Sequence, residues 1–448
     1  MKKFASLILC ISLVLWSGKI SFGQEKLTLT LEKSIQMALS QNPRYLASEE
    51  RVEAAQSRVR EAAAQFFPSL NIQGTNTLDE KLFQLEFPSI VPGQPPRKVS
   101  VDFTRDYQFA FAFSLPLFTS GRLTSGFKRA KYNLHSTQER REQSEQQTVC
   151  RIKKAFYGYL LAKEFVGVAK EAVEVAEEHH KNVRNLHEVG MASRFDLLRS
   201  EVQVANLKPQ YIKAKNNLKV AALRLKTLLG MDLSQPVEIK GKLSYEPYKP
   251  DLEKCVSQAL QNRPELGQLK FQKKSAGEMV KIARASHLPT VSVSGNYNFW
   301  ADQFNFKEDN WQSYYTFNMV LTIPIFNGFA TSAKVAQSRA RLRELEWTQR
   351  GLEDQIRLEV RQALLKLEEA KESLLSQKKN VQQAQESLRI AELNYSEGMA
   401  TTLDVSSAQS ALTQAKTNCS QALYDYMVSR AELEKAMGME WEKQSEQE

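Results

Sequence analysis

The sequence predicts a mainly α protein that carries a few transmembrane β-barrel strands: a tandem-duplicated helical coiled-coil unit with four strands per chain. Three observations predict it. Glycine (18) and proline (14) are sparse among 448 residues, of which 42% are hydrophobic and 25% charged; that balance favours long helices and excludes collagen-like, low-complexity and disulfide-scaffold chains. Landmark motifs recur at nearly constant distance along the chain. Between the long helical stretches, short segments alternate large apolar with small or polar residues, the period of a strand with one apolar face.

Charge narrows the partners. The net charge is +10, but Lys2, Lys3 and Lys19 fall in the first 23 residues and the remaining excess is dilute. No basic stripe interleaved with aromatics occurs, so nucleic acid is not an expected partner.

At the N-terminus, Lys2 and Lys3 precede the apolar run from Phe4 to Trp16, followed by small residues at Ser21 and Gly23. This pattern predicts a secretory signal peptide over 1–23. The run is too short for the ~20 residues that span a bilayer. Cys10 lies in it without a lipoprotein cleavage box, so no lipid anchor is expected. Beyond Gly23 no apolar run is long enough for a membrane helix. Entry into a membrane would then require a closed β-barrel, the other structure that satisfies its own backbone there.

The duplication is read from paired motifs. Ala38-Leu39-Ser40-Gln41-Asn42-Pro43 returns as Ala259-Leu260-Gln261-Asn262-Arg263-Pro264, and Pro68 returns as Pro289, both 221 residues on. Pro116-Leu117-Phe118 returns as Pro324-Ile325-Phe326, and Gly190-Met191-Ala192 as Gly398-Met399-Ala400, both 208 residues on. Gly121 matches Gly328 one residue short of that spacing. The first repeat, 24–230, is expected to hold a helix over 44–67, a β-hairpin over 69–117, a long helix over 123–189 and a return helix over 193–229. A linker, 231–257, leads to the second repeat, 258–439: helix 265–287, hairpin 290–325, long helix 330–397 and return helix 401–437. The tail 440–448 is expected to be disordered.

Each long helix would extend about 100 Å at ~1.5 Å per residue. Val360, Leu367, Leu374, Val381, Leu388 and Tyr395 fall seven apart, and Ile152, Tyr159, Val166, Val173, His180 and His187 occupy the matching places. Such a seam faces a partner helix in a left-handed supercoil.

The strands are Tyr107 to Leu115 with partner Ser69 to Thr77, and Tyr315 to Ile323 with partner Thr290 to Asn298. Their length and alternation suit transmembrane strands, and Phe109, Phe111 and Phe113 would make a costly apolar face in water. The connecting segments 78–105 and 299–312 read as loops. Four strands cannot close a barrel, which needs about eight, so several copies must share one.

Taken together, the export signal, the duplicated helix–hairpin–long-helix unit, Pro116-Leu117-Phe118, Pro324-Ile325-Phe326-Asn327-Gly328 and the Gly-x-x-x-x-x-Asp turns resemble the TolC family of outer-membrane factors across nearly the whole chain. The resemblance implies a homotrimer with a twelve-stranded outer-membrane barrel and a helical tunnel extending into the periplasm of a Gram-negative type envelope. It implies a passive exit duct for a tripartite efflux pump or type I secretion system. The implied partners are a periplasmic adaptor (membrane fusion protein) and an inner-membrane RND or ABC transporter. Segments 24–34 and 231–257 would form the family's equatorial belt.

By the same resemblance Asp404 matches an acid of the periplasmic aperture ring, while Asp196 and Tyr395 match a pair that holds the tips shut. The turns with Gly190, Met191, Gly398 and Met399 would face the adaptor. Gly190 and Gly398 suit left-handed helix ends, and Asp196 and Asp404 suit the first turns of the return helices, where the dipole favours a carboxylate. Two departures stand out: Ala400 replaces the latch arginine and Ser407 replaces a second ring acid.

An enzyme is not expected, since no P-loop, Gly-x-Ser-x-Gly or His-Glu-x-x-His occurs; no cofactor is expected either. His180 and His187 share a face but lie ~10 Å apart along the axis, too far for one metal, so His179, His180 and His187 read as seam or solvated residues. Cys150, Cys255 and Cys419 read as small buried side chains of helices without a disulfide framework. The competing reading is a periplasmic structural or adaptor coiled coil, which would leave the aromatic strands unexplained.

Overall fold

A computed structural model describes residues 27–78, 83–89, 91, 93–101, 106–305, 307 and 310–439. The expected signal peptide and the tail 440–448 lie outside the described residues. In order, the elements are β1 (Leu27–Leu29), α1 (Leu31–Gln41), α2 (Pro43–Ala64), β2 (Ser69–Asn76), β3 (Phe83–Phe87), β4 (Arg97–Val101), β5 (Tyr107–Phe118), α3 (Arg122–Glu188) and α4 (Arg194–Leu229). There follow β6 (Val237–Ile239), α5 (Leu252–Asn262), α6 (Pro264–Ala285), β7 (Thr290–Ala301), β8 (Gln312–Thr322), α7 (Ala330–Ser396) and α8 (Thr402–Ala436).

Three of the four helix pairs repeat exactly in length where the sequence only resembles itself, and the return helices α4 and α8 differ by one residue, 36 against 35. α1 and α5 have 11 residues each, α2 and α6 have 22, and α3 and α7 have 67. The one-residue slip between Gly121 and Gly328 is absent from the backbone. Ser120 and Gly121 take positive φ in one half and Gly328 and Phe329 in the other, which restores the 208 spacing of the flanking helices. Phe329 therefore holds, at φ 64°, a left-handed conformation that glycine occupies in the first repeat.

Several boundaries differ from the sequence reading. α2 and α6 stop at Ala64 and Ala285 rather than 67 and 287, because the last residues before Pro68 and Pro289 form tighter i to i+3 turns; a residue preceding proline is pushed out of the α region. α1 and α5 are separate helices that the sequence reading does not single out, and α5 begins at Leu252 inside the expected linker. Each is divided from the next helix by a single extended residue, Asn42 or Arg263, placed before a proline at the first helical position. Segment 78–105 is not all loop. β3 and β4 pair antiparallel there, with Glu86 and Lys98 in an exposed ion pair of 2.7 Å.

The chain divides into two compact units. One comprises residues up to 47, 144–262 and from 356 onward. Its main core joins Leu29, Ile35, Ala38, Ile152, Phe156, Leu160, Leu225, Leu229 and Ile239. β1 and β6 pair parallel across the repeat, Thr28 opposite Glu238. Asn42 ties this region together: its amide donates to the Leu228 carbonyl at 2.7 Å while its Oδ1 accepts from Arg44 and Tyr45 N–H at the start of α2. Further along, Tyr426 is buried and donates its hydroxyl to the Glu246 carbonyl at 2.7 Å, which seats the linker on α8. Burial pushes the Tyr426 phenol up, as expected for a group that donates and stays neutral.

Gly230 ends α4 at φ 73°, and a Cβ there would collide with the Gln41 carbonyl oxygen. Gly190 has the same left-handed backbone with open space around it. Gly230→Ala is therefore expected to cost about 2–4 kcal/mol, strain plus displaced backbone. Gly190→Ala should cost only the strain, about 1–2 kcal/mol. Thermal unfolding of the purified protein in detergent orders the two.

Within the other unit, residues 48–143 and 263–355, polar contacts fasten α6 to α3. Ser275 donates to Asn133 Oδ1 at 2.7 Å, and Gln143 donates to Glu265 Oε1 at 3.0 Å. Arg263 clamps Glu265 through Nε and Nη2 at 3.0 and 3.1 Å. Unlike Asn42, Arg263 does not cap the backbone of its helix; it holds the side chain of Glu265 in the first turn.

The unit's four-stranded antiparallel sheet runs β2-β5-β7-β8. The two hairpins pair as the alternation predicts, Ile72 opposite Phe111 and Gly295 opposite Phe317. β5 and β7 then join the two repeats, Phe111 opposite Tyr297. β5 continues through Pro116 to Phe118 with a bulge between them, a place where a strand tolerates proline. β8 instead ends at Thr322, before Pro324.

Candidate functional site

Two regions can carry function: the sheet and the helix turns. Because side chains alternate along each strand, the pairing register sorts the sheet into two unlike faces. One presents Leu70, Ile72, Phe109, Phe111, Phe113, Tyr297, Phe299, Tyr315 and Phe317. Ring pairs cross it: Phe111 and Phe299 lie 5.6 Å apart, and Tyr297 and Phe299 4.5 Å. The opposite face presents Asn71, Gln73, Ala110, Ala112, Ser294, Asn296, Thr316 and Asn318, with Trp300, Tyr314 and Val320 as its larger side chains toward the strand ends. β2 and β8 form the two edges and are exposed at every residue. An apolar face, a polar face and two open edges are what a barrel wall needs before further copies close it.

The helix turns repeat one construction. At the end of α3, Gly190 N–H donates to the His187 carbonyl and Met191 N–H to the Leu186 carbonyl. At the end of α7, Gly398 donates to Tyr395 and Met399 to Asn394. Both glycines are left-handed, at φ 80° and 74°, and the two hydrogen bonds from the glycine and the residue after it back to the last turn close the helix. Met191 and Met399 are left exposed, at 78% and 68% of their surface.

Asp196 and Asp404 each complete a capping box. Asp196 N–H donates to Ser193 Oγ at 3.1 Å, and Ser193 Oγ donates to Asp196 Oδ2 at 2.5 Å. Asp404 N–H donates to Thr401 Oγ1 at 3.3 Å, while Thr401 donates to Asp404 Oδ2 through its hydroxyl at 2.6 Å and its backbone N–H at 2.8 Å. The Thr401 hydroxyl, then the Thr401 backbone N–H, hold the Asp404 carboxyl below its ordinary value. The local fold thus uses both acids through hydrogen bonds, which is more specific than the dipole alone.

Tyr395 packs its ring edge-to-face on His179 at 5.3 Å and accepts from the Thr402 hydroxyl at 3.4 Å. Asp196 is held by Ser193. Within the chain these two expected latch residues are not brought together. The four turn residues Gly190, Met191, Gly398 and Met399 lie where the sequence places them, at the ends of α3 and α7.

His179 was missed as a contact residue because the heptad seam points to His180. His180 instead bonds Ser200 Oγ at 2.8 Å and accepts from Arg184 at 3.0 Å. Burial, then the neighbouring His180, push the His179 imidazole down. The second-repeat seam holds better: Val360, Leu367, Leu374 and Leu388 are buried and Val381 and Tyr395 half-buried. In the first repeat Tyr159 and Val166 are only half-buried, and Phe156 and Leu160 carry the core. The cysteines Cys150, Cys255 and Cys419 are free thiols; the first two are buried as expected, whereas Cys419 is only half-buried. Among the described residues no His, Cys, Asp or Glu cluster could hold a metal, and no helix is long and apolar enough to cross a membrane.

Known proteins share this arrangement. The probable efflux pump outer membrane protein TtgC of Pseudomonas putida is 23% identical over 426 residues, covering 93% of this chain and 84% of its own. The outer membrane protein TolC of Vibrio cholerae is 24% identical over 66% of this chain and 68% of its own. Among solved structures, the Campylobacter jejuni CmeC outer membrane channel superposes with a TM-score of 0.75 at 17% identity, covering 93% of this chain and 87% of that one. The open state of the Neisseria gonorrhoeae MtrE outer membrane channel gives 0.74 at 20% identity, over 91% and 89%. With the model of the outer membrane efflux protein family matching residues 34–231 and 255–439, one stretch in each repeat, the chain belongs to that family.

Proposed function

We propose that this outer membrane efflux protein works as a homotrimeric exit duct. Three copies pool their sheets into one twelve-stranded barrel, with the aromatic face toward lipid and the Asn- and Ser-bearing face toward the lumen. The duct is passive and its cargo is delivered by a periplasmic adaptor and an inner-membrane transporter. The observation that carries this reading is the two-faced sheet with both edges open. In water each edge would be an aggregation template, and in lipid an unpaired edge is not tolerated. Additional strands must come from further copies.

At the other functional region, exposed Met191, Met399 and Phe195 give the turns an apolar surface for the adaptor. Asp404 stands beside them as the acid of the aperture, with Asp196 and Tyr395 bracing the neighbouring turns. Relatives are named as efflux pump components, including a toluene efflux pump protein and an antibiotic efflux pump protein of Pseudomonas putida. Efflux is therefore the reading preferred over polypeptide secretion.

The test is single-channel recording of the detergent-purified protein in a planar bilayer, paired with its mass in solution. A trimeric mass and discrete conductance steps are expected. A monomeric, detergent-independent protein that never conducts would return the reading to a periplasmic coiled coil.

A further inference from the structure

Where α3 approaches the starts of α4 and α8, a cavity of about 180 Å³ has as its polar lining His179, Arg199, Ser200, Gln203, Thr402, Ser406 and Gln409, with no carboxylate among its lining residues. Its donors can be counted. Ser200 Oγ gives its proton to the Leu197 carbonyl at 2.8 Å. Ser406 Oγ gives its proton to Leu403 at 3.1 Å, and Thr402 Oγ1 gives its own to the Tyr395 hydroxyl. All three hydroxyl protons are spent.

Gln203 adds one amide oxygen and one amide nitrogen, so nitrogen donors remain in excess. Gln409 is 8% exposed, and its Nε2 is buried with no hydrogen-bond partner. His179 Nε2 is buried and unpartnered in the same way. Arg199 lies over the Phe195 ring at 5.9 Å and has no carboxylate partner among the described residues. Thr402 is the first residue of α8, and Arg199 lies in the opening turns of α4; each helix start already carries its own capping carboxylate, Asp404 and Asp196, held by Thr401 and Ser193, so the attraction rests on the three nitrogen groups rather than on the helix dipoles. A buried amide donor left unmade is costly. The cavity answers that cost only if something that accepts hydrogen bonds occupies it.

We propose that this cavity is a binding site for a small monovalent inorganic anion, chloride in kind, held by Gln409 Nε2, by His179 carrying its proton on Nε2, and by Arg199. One permanent cation matches one negative charge; a phosphate or sulfate would lack a second. The anion would bridge α3, α4 and α8 directly behind Tyr395, whose ring rests on His179. It would thereby stiffen the helix turns. Nothing in this site depends on the number of copies or on conduction.

The test uses the full protein in two ways. Crystals grown in sodium bromide are expected to show an anomalous bromine peak between Gln409 and His179 in every copy. A cavity holding only water under those conditions overturns the proposal. In detergent solution at constant sodium, chloride or bromide is expected to raise the unfolding temperature by about 2 °C or more over gluconate. Arg199→Gln and Gln409→Leu should each abolish that difference. Halide stabilisation of equal size in wild type and in both variants, or matched by sulfate, would be a general salt effect and would equally overturn it. The bromine peak is read on the wild type, so a variant that fails to fold does not remove the test.

Discussion

Channels carrying Asp404→Asn are expected to lose cation preference, by a factor on the order of three at 0.1 M salt and by almost nothing at 1 M, where the screening length shrinks to ~3 Å. Asparagine keeps an oxygen able to accept from Thr401, so the start of α8 survives while the charge goes. Thr401→Ala is the complement, because it removes the capping hydroxyl and leaves the carboxylate. It is expected to leave selectivity near wild type and to increase spontaneous opening, since the turn before α8 loses a cap that is typically worth about 1 kcal/mol. Reversal potentials in asymmetric potassium chloride read the first effect and open probability the second. Selectivity unchanged in Asp404→Asn would remove this residue from the aperture and leave it a cap alone.

The pH dependence has a definite sign. The Thr401 bonds favour the ionised Asp404, so its folded value lies below the ordinary 3.8. The stabilisation from those bonds is complete above pH 3.8 and is lost as pH falls through the lowered folded value. A lone capped carboxylate therefore keeps its charge, and the channel its selectivity, down to about pH 4. A selectivity midpoint above that would mean that carboxylates of neighbouring copies stand close enough to repel and raise one another.

The second large effect is expected on the sheet. Phe317 lies on the aromatic face and is exposed at 72% of its surface, while Asn318, the next residue, lies on the polar face. Phe317→Lys should cost about 2–4 kcal/mol per copy if the aromatic face meets the middle of the bilayer. That cost is paid once in every subunit of a shared barrel. Insertion into vesicles and the yield of assembled protein should collapse. Asn318→Lys, one residue away, should insert normally and shift ion selectivity toward anions, because a lumen charge tunes conduction without meeting lipid. Equal behaviour of the two variants would mean that the sheet does not separate lipid from water.

Much of this protein was legible in its sequence because its strongest signals are periodic and local. The seven-residue recurrence from Val360 to Tyr395 and the two-residue alternation from Tyr107 to Leu115 each name an element and its apolar face without reference to anything distant. Proline and glycine landmarks repeated at fixed spacing reveal the duplication. Gly190 and Gly398 mark helix ends because glycine reaches the left-handed closing conformation at little cost. From these, the fold class and the turns carrying Asp196 and Asp404 follow.

Only the tertiary structure decided what depends on pairings far apart in the chain. β5 joins β7 through backbone bonds that any residues can make, so side-chain pattern does not announce it. β3 and β4 are short enough that Phe83 to Phe87 reads as loop among the surrounding prolines. The 208 spacing across Ser120-Gly121 and Gly328-Phe329 is a property of backbone angles, visible only once Phe329 is seen to adopt positive φ. His179 and Gln409 are 230 residues apart and become one cavity only when α8 folds back beside α3. A helix states which of its faces is apolar; what stands opposite a single polar residue on that face is settled by packing alone.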